Sequence, residues 1–214
     1  MKILFYGDSI TDAERARIKP PMPNAVFGYG YVMQVMGRLF ERSPVNYEIV
    51  NRGISGNRIV DLYARAKIDC WNHEPDLISI LIGINDIWHE VECKNGVEPE
   101  RFERIFRMLI EDTKQRLPNT KLLLCEPFVL KGSATEAAWD QFGECPIYGS
   151  ITKKLAEEYD LYFLPLQEKF DEAAAKYGNE VFLYDGVHPT VQGATLIAKE
   201  WMKLFEKIEE DIKK

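Results

Sequence analysis

Short apolar runs separated by amphipathic stretches recur from one end of this 214-residue chain to the other. That alternation narrows the fold more than any other feature. Residues 3–6, 47–50, 77–82, 122–125 and 161–164 read as strands. The run 77–82 is almost wholly apolar, as a strand buried on both faces must be. Residues 29–40 place Tyr31, Val32, Val35, Met36 and Leu39 at helical spacing. Residues 59–68, 100–117, 147–159, 167–177 and 191–207 also read as helices, with Pro118 and Gly178 as stops. Residues 181–184 are strand-like, and Lys213 and Lys214 are expected to fray. Such an order implies βαβ units and an α/β fold, a parallel sheet with helices on both faces. Two segments break the rhythm. Residues 13–28 carry Pro20, Pro21 and Pro23 and read as a loop. Residues 126–146 carry Gly132, Gly143 and Pro146 and read as a mobile or partly helical insertion. Each is either a wall of a substrate site or a plain surface loop.

Hydrophobic residues make up 46% of the chain and charged residues 29%, which suits one soluble domain over residues 1–214 with a core that needs neither disulfides nor metals. A net charge of −7 argues against nucleic acid as a partner, because phosphate binding needs clustered Lys and Arg. The apolar run before Gly7-Asp8-Ser9 is too short for a signal peptide, and no stretch is long enough to span a membrane. A cytoplasmic protein without a membrane partner is expected. Cys70, Cys93, Cys125 and Cys145 are scattered, with no CxxC pair, and read as reduced thiols.

In an open parallel sheet, ligands bind beyond the carboxyl ends of the strands. Four polar segments should gather there. Gly7-Asp8-Ser9 follows the first strand, the block from Asn51 to Asn57 follows the second, and Gly83-Ile84-Asn85-Asp86 follows the third. Asp185-Gly186-Val187-His188 precedes the last helix. Taken alone, Ser9 reads as a helix cap, Gly56 as a turn residue, Asn85 as a cap and His188 as a surface histidine beside an Asx turn. Taken together they complement one another. Ser9 sits between a glycine that permits a tight turn and a helix start with free N–H groups. Asp185, three residues before His188, can hold Nδ1–H and leave Nε2 to act as base. The Ser9 and Gly56 N–H groups and the Asn85 amide can donate to an oxyanion.

These four blocks, in this order over nearly the whole chain, resemble the SGNH hydrolase family, also called GDSL esterases. The resemblance implies a three-layer αβα sandwich with a five-stranded parallel sheet, flavodoxin-like in topology. It implies Ser9 as nucleophile, His188 as base, Asp185 as its orienting partner, and Ser9, Gly56 and Asn85 as the oxyanion hole. Between the two glycines of the second block, Gly53 and Gly56, the family pattern favours Gly56. The chain lacks the GxSxG elbow of the larger α/β-hydrolase class. Gly7-Asp8-Ser9-Ile10-Thr11-Asp12 with Arg15 and Arg17, Gly30-Tyr31-Val32, the run Asn51–Asn57, and Ile82 to Trp88 look like bacterial intracellular acetylxylan esterases of this family. Those enzymes deacetylate xylo-oligosaccharides and often form homo-oligomers. The insertion near Trp139 departs from that subgroup.

The expected reaction is hydrolysis of a small acyl ester, an acetylated sugar foremost, without metal or organic cofactor. A lysophospholipase or thioesterase of the same family, and a non-catalytic carbohydrate-binding domain, are the alternatives. Asp8 and Trp88 are candidates for substrate contact, with Trp88 stacking on a sugar, closing the acyl pocket or simply packing its helix. His89 is expected to be exposed. Arg15, Arg17, Arg52 and Arg58 either line the rim or make surface ion pairs. His73-Glu74 and His89-Glu90 do not make the HExxH of a metallohydrolase.

Overall fold

The computed structural model describes residues 1–17 and 23–213. Its strands are β1 (Lys2–Gly7), β2 (Glu48–Gly53), β3 (Leu77–Leu81), β4 (Lys121–Cys125) and β5 (Tyr162–Leu164). They form one parallel sheet in the order β2-β1-β3-β4-β5, the flavodoxin-like order. β3 lies mid-sheet, and all five of its side chains are buried, which explains why alternation is missing from its sequence.

The helices are α1 (Ser9–Asp12), α2 (Tyr31–Arg42), α3 (Ile59–Asp69), α4 (Ile84–Cys93), α5 (Pro99–Arg116), α6 (Trp139–Phe142), α7 (Cys145–Glu158), α8 (Gln167–Tyr177), α9 (Asn179–Phe182) and α10 (Val191–Ile212). α2 packs on α10 in one layer, while α3, α5 and α7 pack in succession in another. The result is the three-layer αβα arrangement expected from sequence. Local chemistry sets the ends. Pro99 opens α5, where its missing N–H costs nothing. The Thr190 hydroxyl accepts from Gly193 N–H to cap α10.

Trp201 on α10 is fully buried against the sheet. Its ring lies 5.3 Å from that of Phe5 and 4.9 Å from that of Phe205. Its indole N–H donates to Ser79 Oγ of β3 at 3.0 Å. No helix among the described residues is long and apolar enough to cross a membrane, and all four cysteines are free thiols.

Several expectations need correction. Residues 181–184 do not form a strand. Gly178, at φ +97°, turns the chain out of α8 into the short helix α9, which takes in Val181 and Phe182; the Leu183 N–H closes it on the Asn179 carbonyl and the Tyr184 N–H donates to the His188 carbonyl. Only an isolated antiparallel bridge between Leu183 and Pro189 follows. Residues 84–93, given no element by periodicity, are helix α4, and the last helix runs five residues beyond 207. Within 13–28, residues Pro23–Phe27 make a 3-10 turn, while Pro20 and Pro21 lie outside the described residues, as does Lys214. The insertion 126–146 is partly helical and buries Phe128, Thr135, Phe142 and Cys145 completely.

Trp201→Ala should lower unfolding free energy by about 3–5 kcal/mol, the cost of a large buried aromatic cavity. The urea midpoint measures it, and Trp201→Phe should lose far less.

Candidate active site

β1 ends in Gly7, where a Cβ would stand 2.4 Å from the Leu81 carbonyl oxygen. Only glycine lets β1 and β3 deliver their ends this closely. Asp8 follows, and its Oδ1 accepts from Ile10 N–H at 3.0 Å. Asp8 therefore caps α1, and Ser9, as first residue of that helix, keeps its hydroxyl for other work. Ser9 Oγ lies 2.9 Å from His188 Nε2.

His188 sits on the loop between α9 and α10. The Leu183–Pro189 bridge pins the base of that loop, and Gly186 at φ +99° supplies its tight turn. Asp185 Oδ2 lies 2.6 Å from His188 Nδ1, and Asp185 Oδ1 accepts from the N–H groups of Val187 and His188 at 2.9 and 2.7 Å. With Nδ1–H donated to the carboxylate, a neutral His188 presents a lone pair at Nε2 to Ser9. Burial works to raise the Asp185 pKa, but these hydrogen bonds outweigh it and hold the carboxyl below its ordinary value. The hydrogen bond that His188 donates to Asp185, against burial, raises the His188 pKa above its ordinary 6.5.

Gly56 occupies a turn after β2, at φ +81°, where a side chain would be strained. The turn is clamped at both ends by buried carboxylates. On one side Asp12 Oδ2 accepts from Ser55 N–H at 2.9 Å and from Ser55 Oγ at 3.0 Å. On the other, Asp86 accepts from Ile59 N–H at 3.1 and 3.2 Å. Asn85, near the start of α4, donates one amide hydrogen to the Asn57 carbonyl at 3.1 Å, which fixes the side chain and leaves a second N–H for a ligand. Ser9, Gly56, Asn85 and His188 line one cleft of about 490 Å³. Gly53 lies elsewhere, under α1, where a Cβ would meet Asp12 N at 2.2 Å.

Burial works to raise the Asp12 pKa, but Arg17 at 2.6 Å and the Ser55 donors overcome it and keep the carboxylate charged. The Asp12 and Asp86 clamps escaped the sequence reading, although both acids stand inside the quoted blocks. Asp8 must be corrected. It is 1% exposed, caps α1 and stands outside the lining of the cleft, so its side chain is placed as a helix cap and not as a substrate ligand. Its Oδ2 has no hydrogen-bond partner, and burial pushes its pKa up to about 7 against the pull of the Ile10 N–H.

Trp88 does line the cleft. Its ring lies 5.7 Å from that of His188 and 5.6 Å from Phe142 of the insertion, which backs it edge-on. His89 is half-buried in the same wall rather than exposed. The four arginines are structural. Arg15 is buried and donates to the Gly53 carbonyl, Arg17 pairs with Asp12, Arg52 donates to His73 Nε2, and Arg58 pairs with Asp61 at the start of α3. Glu14, Tyr29, Glu92, Tyr184 and Val191 also line the cleft, and no motif or spacing marks them in the sequence.

Because the Asp8 pKa is raised, folding takes up a proton there, and stability drains away as pH climbs from 3.8 towards about 7. Asp8→Asn removes that titration. The Tm difference between Asp8→Asn and wild type should move in the variant's favour across this window and be flat above it, as calorimetry at several pH values would read.

The sequence pattern of the GDSL-like lipase/acylhydrolase family matches residues 5–196. An acetylxylan esterase of Geobacillus stearothermophilus is 33% identical over 207 residues, covering 94% of this chain and 92% of the esterase. Its crystal structure superposes with a TM-score of 0.84, covering 95% of this chain and 93% of the other. Structures of its catalytic mutants replace a serine, an aspartate and a histidine by alanine. A crystal structure of a Parabacteroides merdae protein likened to GDSL lipases gives a TM-score of 0.87 at 39% identity, covering 95% of this chain and 94% of that one. This chain belongs to the GDSL-like lipase/acylhydrolase family.

Proposed function

We propose that this protein is a serine esterase that removes acetyl groups from short xylan-derived oligosaccharides or closely related sugars through an acyl-enzyme on Ser9. The observation that carries the reading is the Ser9–His188–Asp185 relay, at 2.9 and 2.6 Å, opening into the cleft that Gly56 and Asn85 share.

The chemistry proceeds in two displacements. His188 Nε2 takes the Ser9 proton as Oγ attacks the acetyl carbonyl carbon. The carbonyl oxygen becomes an oxyanion, held by the N–H groups of Ser9 and Gly56 and the free amide hydrogen of Asn85. The intermediate collapses, the sugar–oxygen bond to the acyl carbon breaks, and the imidazolium returns its proton to the leaving alcohol. Water then attacks the acyl-enzyme, giving its proton to His188. Acetate departs and Ser9 recovers the proton. Trp88, wedged between His188 and Phe142, limits the room for the acyl chain.

The cleft's charge favours sugar esters over the lysophospholipase or thioesterase reading. Glu14 and Glu92 line it, and its described lining includes no Lys or Arg. A phosphate headgroup or an anionic thioester carrier would meet repulsion there, whereas neutral sugar hydroxyls can donate to these carboxylates. The relatedness to an acetylxylan esterase supports the same class. A binding module of the same fold would have no use for an activated nucleophile, and covalent labelling by a fluorophosphonate tests that alternative.

Ser9→Ala should lower kcat on acetylated xylose by about 10⁴–10⁶-fold with the fold intact. Asn85→Ala should cost about 10²–10³-fold. Retained turnover by purified Ser9→Ala would overturn the nucleophile, and rates that hold up from acetyl to octanoyl esters would favour the lipid reading. The base must be neutral to accept a proton, so kcat/KM should rise with pH to a plateau, with an apparent pKa above 6.5.

A further inference from the structure

The catalytic cleft does not end at His188. Tyr184 stacks beside the His188 ring, with centroids 5.7 Å apart and planes at 17°, yet it is 61% exposed. It is shared by two hollows, the cleft itself and a neighbouring one of about 550 Å³. The second hollow has a polar lining of Lys131, Ser133, Glu136, Asn179 and Glu180 around Gly132 and Gly178. Mixed donors and acceptors beside an exposed ring suit a sugar, which offers hydroxyls at its edge and C–H groups on its face.

The floor of this hollow is tied to the catalytic loop. Leu130 N–H donates to the Gly186 carbonyl at 2.9 Å and Ala134 N–H to the Asp185 carbonyl at 3.0 Å. Asn179 Nδ2 donates to the Lys131 carbonyl at 2.9 Å. At Gly132 a Cβ would stand 2.4 Å from Asp185 C, so the two segments are in direct contact. The buried Thr135 hydroxyl closes the turn, donating to the Leu130 carbonyl at 2.7 Å and accepting from Gly132 N–H at 2.9 Å. A ligand seated here is therefore held in fixed register with Asp185 and His188, the side of the site from which the alcohol departs.

We propose that the hollow beyond Tyr184, floored by residues 130–136 of the insertion, is the subsite that seats the neutral sugar units adjoining the acetylated one. The inference rests on the sugar-esterase reading. It gives the insertion a role, which is to extend the leaving-group side of the cleft. Binding energy gathered remotely from the ester is spent on orienting it.

The test compares mono-acetylated xylose, xylobiose, xylotriose and xylotetraose, with ethyl acetate as a substrate too small to reach the subsite. For the wild type, kcat/KM should rise by about tenfold or more from one to four sugars. Ser133→Trp, which fills the hollow from an exposed position, and Tyr184→Ala should each flatten that rise to within about twofold. Ser133→Trp should leave ethyl acetate within about twofold of wild type, whereas Tyr184→Ala also removes a ring that stacks on His188. If Tyr184→Ala disturbs His188, ethyl acetate turnover falls too and Ser133→Trp decides. A length-independent wild type that still deacetylates xylose overturns the subsite and spares the sugar-esterase reading. So does a length dependence that survives Ser133→Trp. Turnover of ethyl acetate with none of any acetylated sugar overturns both.

Discussion

Parallel pairing of β1 with both β2 and β3 is the constraint from which the site follows. The three strands share one register, with Gly7 opposite both Gly53 and Leu81. They therefore release the chain at one level, and each exit carries one component: Ser9 after β1, Gly56 after β2, Asn85 after β3. A side chain at Gly7 or Gly53 would collide with backbone at 2.4 or 2.2 Å, so glycine at both strand ends is a packing requirement. The fourth component, the His188 loop, comes from the far end of the chain and is held by its own bridge and by the insertion.

Preorganisation here consumes stability. Asp8, Asp12 and Asp86 are all buried, the first two near Ser9 in the chain and the third beside Asn85. Burying a carboxylate is costly unless donors compensate it. Asp12 is compensated by Arg17 and Ser55 and stays charged. Asp86 receives the Ile59 N–H but is pushed well above its ordinary pKa, first by burial and also by Asp8 nearby. Asp8 is the least compensated, with one oxygen unpartnered. Two of the three acids grip the turn that presents Gly56. They fix the position of an oxyanion donor before any charge develops, and donors fixed in advance need no reorganisation during the reaction.

Much of this was legible in the sequence because the signals are local or periodic. All five strands were visible as apolar runs. The helix stops at Pro118 and Gly178 were visible too, and so were the blocks holding Ser9, Asn85, Asp185 and His188. What escaped depends on contacts between distant segments. Asp8 looked like a substrate ligand because it adjoins Ser9, but a helix N-terminus claims its side chain. Residues 181–184 looked like a strand because Val, Phe and Tyr favour strands, yet α9 claims Val181 and Phe182 and the Tyr184 N–H bonds the His188 carbonyl. Tyr184 and Tyr29 carry no pattern that marks a rim. Their placement emerges only when the loop after α9, the start of α10 and residues 13, 14, 29 and 30 meet at the cleft.

The most direct test of Ser9 as acyl carrier is to quench in acid a reaction with an activated aryl acetate, whose good leaving group makes acylation fast and lets the acyl-enzyme build up, and to map the protein by peptide mass spectrometry. Acylation of Ser9 predicts one added acetyl group, on the peptide holding Ser9 and nowhere else, formed and lost at rates consistent with turnover. Continued turnover with no acetyl on that peptide, or with the group on another side chain that turns over at the catalytic rate, would contradict it.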